Sequence, residues 1–363
     1  MPFSPVAALP LLITSMTVAD ATDGALETVA QFGLNRPGNV TVTEDDRVIV
    51  TMHPLDNPEI RVVEVLADGS KVPFPTEDWA DGPEKGAVGI AAAIGIDSDS
   101  RGIVWIMDMG GPDTPTQMVG WDTRQERIHQ VMRIGTDELV ENSFLQDFAI
   151  DESRQRAYIA DMTLGNFVGE AKPAIVVLDL ETGKSRRVLE GTSSFMPEER
   201  SVHIDGLTLS TEREDGTVDN IYLGLNPIVI DANDEWVYYG TINGETIWRI
   251  PAAALSDPEK SRDELEALIE EYGPKKPSDG IAFAPGGGIL ITDIEGHAVG
   301  LTTPGQYEIV KRDASISWPD GFATTPDGWV YVVQNQLHRH PNFSAGRGNA
   351  MAPYRLLRFR FLR

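Results

Sequence analysis

The sequence predicts an all-β protein with the architecture of a six-bladed β-propeller. One unit recurs six times: a polar residue, a short β run, a turn rich in Asp and Gly, and a second run rich in Val, Ile, Tyr and Trp. The units begin at Asn39, Ala93, Asp147, Asn226, Asp279 and Asp320. All but one of the gaps span roughly 40 to 55 residues, the length of a four-stranded blade. Each unit is therefore interpreted as the inner hairpin of one blade.

The sequence between the units predicts the outer strands. Residues 174–188 alternate on both sides of the turn at Glu181, which is typical of a third strand and a fourth, edge strand. The longest gap contains an extra alternating pair, 203–209 and 220–225, which we expect to form one inserted hairpin over a face of the protein. Residues 256–272 carry the one strong helical pattern, with capping residues and a proline in the first turn.

The two ends of the chain are predicted to meet. Residues 25–32 and 354–361 both alternate like strands. Pairing these N- and C-terminal strands with each other in one blade would close the ring and remove exposed sheet edges. We therefore expect one domain over residues 25–363, preceded by an extension or weakly signal-like segment over residues 1–24. Its apolar run lacks a preceding Lys or Arg, so the cytoplasm is favoured over export. No run reaches the ~20 residues of a membrane-spanning helix.

Composition limits the possible partners. The 363 residues include 56 acidic and 30 basic side chains, giving a net charge of −26. Nucleic acid and anionic membranes are therefore excluded as expected partners, and a small molecule is expected instead. The chain contains no cysteine, which excludes disulfides, thiolate nucleophiles and thiolate metal sites. Oligomeric state is left open.

The repeat also predicts a metal site. Inner strands of a propeller start at one end of the central channel and their hairpin partners return to it, so starts and returns form two rings. Five of the six starts carry a carboxylate or a carboxamide. Converging carboxylates repel unless a cation lies among them, and hard oxygen ligands suit Ca²⁺, Mg²⁺ or Mn²⁺. We predict a divalent cation, preferably Ca²⁺, held by Asn39, Asp147, Asn226 and Asp279. Alternatively, these residues only form turns at the strand starts.

The same ring supplies the catalytic candidates. Asp279 and Asp320 lie at strand starts, and His338 follows the last hairpin, where an imidazole can act as a general acid or base. A lone histidine can equally be a structural hydrogen-bonding group. Substrate contacts are predicted for Asp108, Asp161, His203, Asp293 and Asn335. The sequence contains neither a zinc-binding His-x-x-x-His helix nor a Gly-x-Ser-x-Gly elbow, so neither chemistry is predicted.

Four segments resemble the yellow / major royal jelly protein family: residues 94–110, 148–161, 175–188 and 318–339. The last contains Trp318-Pro-Asp-Gly and ends in Asn-Gln-Leu-His-Arg, similar to the family's final blade. The resemblance extends from about residue 30 to the C-terminus, but the chain lacks the cysteines of the insect members, so it resembles a bacterial-type relative. Because the family includes ligand binders and members associated with dopachrome conversion, the resemblance implies the fold more firmly than a reaction.

A more distant similarity to the gluconolactonase and regucalcin propellers implies the chemistry. Their channel metal is held by acidic and amide residues at inner-strand starts, which implies Asn226 and Asp279 as the best-matched ligands and Asp147 as the third. Asn39 stands where that family has Glu. The leading hypothesis is a metal-assisted hydrolase of a lactone-type substrate at the channel mouth. The alternatives are a non-catalytic binder of an aromatic amine, held by channel carboxylates with Phe144 or Trp318, and an isomerase acting on a dopachrome-like quinone.

Overall fold

Six four-stranded antiparallel sheets form the computed structural model, which describes residues 24–164, 167 and 169–361. The inner strands of neighbouring sheets contact one another in cyclic order, so the sheets are the blades of a closed six-bladed β-propeller, as predicted. The extension predicted over residues 1–24 lies, apart from Gly24, outside the described residues. Among the described residues, no helix has the length and apolar character needed to cross a bilayer.

Strand β1 (Glu27–Phe32) comes first in the chain and belongs to blade six. Blade one contains β2 (Pro37–Val42), β3 (Val48–Met52), β4 (Val62–Val65) and β5 (Lys71–Pro73). Blade two contains β6 (Ala93–Ser98), β7 (Ile103–Asp108), β8 (Gln117–Asp122) and β9 (Arg127–Arg133). Blade three contains β10 (Leu145–Asp151), β11 (Arg156–Asp161), β12 (Ala174–Asp179) and β13 (Ser185–Val188).

Two small hairpins follow blade three, formed by β14 (His203–Ile204), β15 (Leu207–Thr208), β16 (Ser210–Glu212) and β17 (Val218–Asn220). Blade four contains β18 (Leu225–Ile230), β19 (Trp236–Thr241), β20 (Thr246–Pro251) and β21 (Glu270–Pro274). Blade five contains β22 (Ile281–Phe283), β23 (Ile289–Asp293), β24 (Ala298–Thr303) and β25 (Gln306–Arg312). Blade six contains β26 (Pro319–Thr324), β27 (Trp329–Gln334), β28 (Tyr354–Arg360) and β1.

The described helices are short. The α-helices are α1 (Glu77–Ala80), α2 (Ala252–Ser256) and α3 (Arg262–Glu266). The 3₁₀-helices are Pro54–Asp56, Thr136–Glu138, Leu337–Arg339 and Pro341–Phe343. The structure is therefore almost entirely β-sheet, because the helices only occur in connections between strands.

All six predicted hairpins form the two inner strands of a blade, and the predicted edge-strand turn at Glu181 joins β12 to β13. The predicted closure is also confirmed. Strand β1 pairs antiparallel with β28, so that Glu27 lies opposite Arg358 and Phe32 opposite Tyr354. Blade six therefore contains strands from both ends of the chain, and the backbone hydrogen bonds between these strands hold the ring closed.

The core lies between adjacent blades. Trp105 of blade two is fully buried in one apolar cluster with Phe148 of blade three, and its indole N–H donates to Asp99 over 3.1 Å. A Cβ atom on Gly120 would lie 2.7 Å from the Trp105 ring, so this close approach requires glycine. Each blade thus packs an apolar face onto the next, which fixes the inner strands around one axis.

The helix predicted over residues 256–272 is wrong in extent. Ser261 and Glu264 form a capping box that starts a new, short helix, and Glu270–Pro274 is instead the edge strand β21. Its pairing places Glu271 opposite Trp248 of β20. Tertiary pairing that completes blade four therefore overrides the local helical pattern.

The single inserted hairpin predicted between residues 203 and 225 is two hairpins. Asp205 and Gly206 have φ angles of 53° and 78°, which make a tight turn within the expected first strand. The second hairpin pairs β16 with β17, whereas Leu225 belongs to the inner strand β18. Residues 202–223, which we call the cap, lie over one end of the propeller.

Removing buried contacts from the closing strand should destabilise the protein. Leu356 of β28 is 0 % exposed, and Leu356→Ala should cost about 2 to 5 kcal/mol of unfolding free energy because it leaves a cavity. The matched control is Leu34→Ala, at a leucine that is 83 % exposed, which should change stability by less than about 0.5 kcal/mol. Denaturant titration measures both. Equal losses would contradict a role for β28 in closing the ring.

Candidate functional site

The inner strands share an irregularity at their starts. Register shifts mark a β-bulge in β2, β6, β10, β18 and β26, just before Val40, Ile96, Asp147, Ile228 and Phe322. Because the bulge recurs, equivalent residues form layers around the axis. The first layer contains, from blade one to blade six, Gly38, Ile94, Gln146, Asn226, Asp279 and Asp320. The second layer contains Asn39, Gly95, Asp147, Pro227, Gly280 and Gly321.

The predicted ring therefore spans different levels. Asn226, Asp279 and Asp320 lie in the first layer, whereas Asn39 and Asp147 lie one residue further along their strands. Ala93 precedes both layers and pairs with Asp108. A bulge adds one residue without disturbing the apolar alternation that follows, so the shift was invisible in the sequence. Gln146, which was not predicted, takes the first-layer position of blade three.

Asp279 is the centre of a buried hydrogen-bond cluster. Its Oδ1 atom accepts from Asn226 Nδ2 at 2.5 Å and from Gln146 Nε2 at 3.1 Å, and its Oδ2 atom accepts from Trp318 Nε1 at 2.7 Å. All three donors are neutral, so they orient the carboxylate without neutralising it. We call the set of Asp279, its three donors Asn226, Gln146 and Trp318, and Asp320 the polar cluster.

Asp320 adds a second buried carboxyl group. Asn335 Nδ2 donates to Asp320, and Asn335 Oδ1 accepts from the backbone N–H of Leu337. Burial raises the pKa of Asp279 to about 6, while burial and repulsion from Asp279 raise the pKa of Asp320 well above its usual value. The pair therefore resists full ionisation, because two like charges in a dry region destabilise each other.

Four buried polar atoms at this end of the channel have no hydrogen-bond partner in the described part of the chain. They are Asn226 Oδ1, Thr241 Oγ1, Gln334 Oε1 and His338 Nδ1. Native proteins rarely leave such atoms unpaired, so water, an ion or a ligand is expected to bind them. No group of three or more His, Asp or Glu side chains among the described residues is arranged to hold a metal ion. Any cation here would depend on amide oxygens as well as the two carboxylates.

His338 is buried beside the polar cluster. Its ring stacks on Trp318 with centroids 6.1 Å apart, and its Nε2 atom lies 3.2 Å from Asp205 Oδ2. Burial lowers the pKa of His338 to about 4, so the imidazole is neutral at neutral pH. Because Nε2 faces a carboxylate, it carries the proton and Nδ1 is left as an unpaired acceptor. His203, by contrast, lies exposed on the cap, with Nδ1 3.1 Å from Thr208 Oγ1.

Three predicted substrate-binding aspartates hold loops in place. The carboxylate of Asp108 accepts from the backbone N–H groups of residues 91, 92 and 110 and from Gln117. Asp161 accepts from Arg187 and from backbone and hydroxyl donors of neighbouring loops, and Asp293 accepts from Gly296 and Tyr307. Their role in substrate binding stays a prediction, and the observed contacts are those of loop-stabilising side chains.

The predicted mouth at the strand starts is covered by the cap. Buried cap residues pack against Trp318 of the polar cluster and against Leu337: Val202, Ile204, Leu209, Ile221 and Leu223. Phe144 also packs against this apolar cluster. The inserted segment thus lies over a face of the propeller, as predicted, and that face is the end of the channel at which the inner strands start.

A cavity of about 300 Å³ lies on the channel axis and begins at the second layer. Its wall includes Asn39, Asp97 and Asp147 and continues to the ends of the inner strands, away from the cap. None of its lining residues is basic. Burial raises the pKa of Asp147 to about 8 and that of Asp97 to about 7. The cavity is thus an acidic compartment whose carboxyl groups titrate near neutral pH.

Asp97 was missed by the sequence analysis. It follows Ile94-Gly-Ile in blade two, where the equivalent positions of the other blades hold small or uncharged side chains: Thr41, Ala149, Val229, Ala282 and Ala323. Asp97 could have been recognised as a site residue because it is charged and the five equivalent residues are not. Lys275 was also missed: it is 2 % exposed, and its Nζ donates to Ser278 Oγ over 3.1 Å, next to Asp279 in the chain.

Comparisons with solved structures agree with this architecture. A gluconolactonase from Xanthomonas campestris is similar with a TM-score of 0.57 and 10 % identity, over 94 % of this chain and 91 % of that one. The calcium-binding protein regucalcin from Agrobacterium tumefaciens gives 0.54 and 13 %, over 93 % of each chain. A luciferin-regenerating enzyme gives 0.57 and 11 %, over 93 % and 96 %. At these identities the likeness shows the fold alone.

No curated protein matches the chain significantly. The sequence model described as Major royal jelly protein, however, matches residues 91–346, from blade two to the loops that follow the inner hairpin of blade six. This range is more than half of the chain and contains all residues of the polar cluster. The predicted resemblance is confirmed, and the chain belongs to the major royal jelly protein family.

Proposed function

We propose that the protein is a hydrolase of small cyclic esters of the lactone type and that it acts at the polar cluster with the help of a divalent cation. The observation that carries the proposal is a pair of buried carboxyl groups, Asp279 and Asp320, next to the unpaired carbonyl oxygen of Asn226. Family membership leaves the reaction open. The similarity in fold to a gluconolactonase and to a calcium-binding regucalcin supports a lactone as substrate and Ca²⁺ as cation.

The chemistry of these donors fits a hard cation. Asn226 Oδ1, Asp279 and Asp320 would hold it, because oxygen ligands with two negative charges are those that Ca²⁺, Mg²⁺ and Mn²⁺ prefer. When bound, such a cation polarises a carbonyl group and lowers the pKa of water. Asn39 and Asp147, also predicted as ligands, line the cavity one layer away, so we assign them to substrate contacts.

The side chains of the site supply the proton transfers. His338 Nδ1, a neutral and unpaired acceptor, takes a proton from the attacking water. His338 then passes this proton to the ring oxygen when its bond to the carbonyl carbon breaks. Water is thus added across the ester, and the product is an open hydroxy acid. Trp318 holds Asp279 in place through its indole N–H and supports His338 by stacking.

Removing the Asp279 charge should abolish the activity. Asp279→Asn should lower turnover of a lactone panel by at least about 100-fold, and chelation of divalent cations should have a similar effect, because both remove charge stabilisation of the transition state. The control is Asp215→Asn, at an exposed turn of the cap, which should retain activity. Circular dichroism checks the fold. Full activity of folded Asp279→Asn across the panel would reject the proposal.

The pH profile should depend on Lys275. Asp279 is ionised above a pKa of about 6, so activity should fall as the pH drops below that value. The charge of Lys275 lowers the pKa of Asp279, hence Lys275→Met should move the acid limb to higher pH by roughly one unit. Lys276→Met, at the exposed neighbour that pairs with Glu245, should leave the limb unchanged. The rate of lactone hydrolysis against pH measures both variants. Identical limbs in both variants would show that Lys275 does not act on Asp279.

The axial cavity supports a second candidate function, binding of an aromatic amine. Asp97 and Asp147 lie in its wall without a basic neighbour among the lining residues, so an ammonium group would find uncompensated carboxylates. The aromatic residues predicted for this role, Phe144 and Trp318, do not line the cavity. Phe148, Phe283 and Phe322 do.

Calorimetry distinguishes the two candidates. An aromatic amine such as tryptamine should give saturable heat without product, and binding should release protons, because an ammonium group favours the ionised forms of Asp97 and Asp147. Titrations in buffers of different ionisation enthalpy measure this release. Asp147→Asn should weaken binding at least about tenfold, whereas Asp215→Asn should not. Absence of heat, or equal affinity in both variants, would exclude amine binding in this cavity.

A further inference from the structure

Asp205 connects the cap to the blades. It lies in the turn between β14 and β15, and its Oδ1 atom accepts from His297 Nε2 at 2.8 Å. Its Oδ2 atom accepts from His338 Nε2 at 3.2 Å and from Arg339. His297 belongs to blade five, and the other two residues belong to the segment after β27. One carboxylate therefore ties the tip of the cap to two separate blades.

The same contact reaches the polar cluster. His338, which Asp205 holds, stacks on Trp318, and the indole N–H of Trp318 donates to Asp279. The unpaired atoms His338 Nδ1 and Asn226 Oδ1 lie at the end of the channel that the cap covers. Any ligand that binds these atoms from the cap side must pass the cap, because its apolar residues are buried against Trp318 and Leu337.

The contacts of Asp205 are of a kind that opens reversibly. Its side chain is 29 % exposed, so water competes for the carboxylate, and its ion pair with Arg339 is weak compared with a buried one. A second tie exists at Ser210, whose carbonyl accepts from the N–H of Ala345 at 2.8 Å and which forms a parallel bridge with Ser344. The cap thus packs against the propeller through its apolar side chains, and hydrogen bonds hold it at its edge.

We propose that the cap is a lid over the polar cluster and that Asp205 is the latch that keeps it closed. Opening breaks the contacts of Asp205 with His297, His338 and Arg339 and exposes the cluster to solvent at this end of the channel. The role of the lid in admitting a substrate rests on the proposed function, whereas its latching by Asp205 does not. Asp205 also acts as a positioning residue, because it orients the His338 ring against Trp318.

Hydrogen exchange measured by mass spectrometry tests the latch without a substrate. Asp205→Asn should raise exchange of cap amides, residues 202–223, at least about tenfold, while the strands of the six blades keep their protection. Arg339→Met should act in the same direction. The matched control Asp215→Asn, at the turn of the other cap hairpin, should leave the cap protected. Unchanged cap exchange in both latch variants, or an equal rise in all blades, would overturn the proposal.

An engineered disulfide tests the lid. The chain has no native cysteine, and the bridge between Ser210 and Ser344 brings adjacent backbones within disulfide reach. The double variant Ser210→Cys/Ser344→Cys should show slower cap exchange when oxidised, and its lactone turnover should fall at least about tenfold and recover on reduction. If activity is absent in both redox states, the proposed function fails while cap exchange still decides the latch. Equal turnover in both states would show that the substrate does not enter under the cap.

Discussion

The pairing of β1 with β28 is the constraint on which the rest of the structure depends. A blade completed by both ends of the chain closes the ring, and a closed ring fixes all six inner-strand starts around one axis. Gln146 and Asp279 are 133 positions apart in the sequence and still share a hydrogen bond, because their blades face the same channel. Chemistry at this site is therefore a product of ring closure rather than of any local motif.

Burying Asp279 and Asp320 together opposes folding, so the surrounding residues have to offset the cost. Neutral N–H donors from Gln146, Asn226 and Trp318 satisfy the oxygens of Asp279, and Asn335 donates to Asp320. These bonds stabilise an ionised or partly protonated pair but add no positive charge. The remaining repulsion supports the cation that we propose for this site, while the packed blades prevent the two carboxyl groups from relaxing into solvent.

Much of the fold could be predicted because short-range alternation determines it. The six inner hairpins and the paired ends follow from a period of two residues, which the printed sequence displays directly. Asn226 and Asp279, expected to act together, are in contact. The layer of the channel in which Asn39 and Asp147 lie could not be predicted, because a bulge moves a side chain along the axis without changing the apolar alternation that follows. The packing of the cap over the channel mouth and the pairing of strand β21 could not be predicted either, because both depend on tertiary contacts that no short stretch of sequence reveals.

The layers divide the channel into two environments. The polar cluster beneath the cap holds neutral donors and unpaired acceptors, whereas the axial cavity beyond it has Asp97 and Asp147 in its wall. Asp147 interacts electrostatically with both Asp97 and Asp279, so protonation in one environment affects the other. A ligand in the cavity would thus alter the charge available at the cluster.

We propose that ring closure brings the ligands of a cation together from separate blades. Anomalous diffraction from crystals soaked in Mn²⁺ tests it most directly. The account predicts an anomalous peak bounded by Asn226, Asp279 and Asp320. A peak elsewhere, or none at the cluster in crystals whose blades are well ordered, would contradict it.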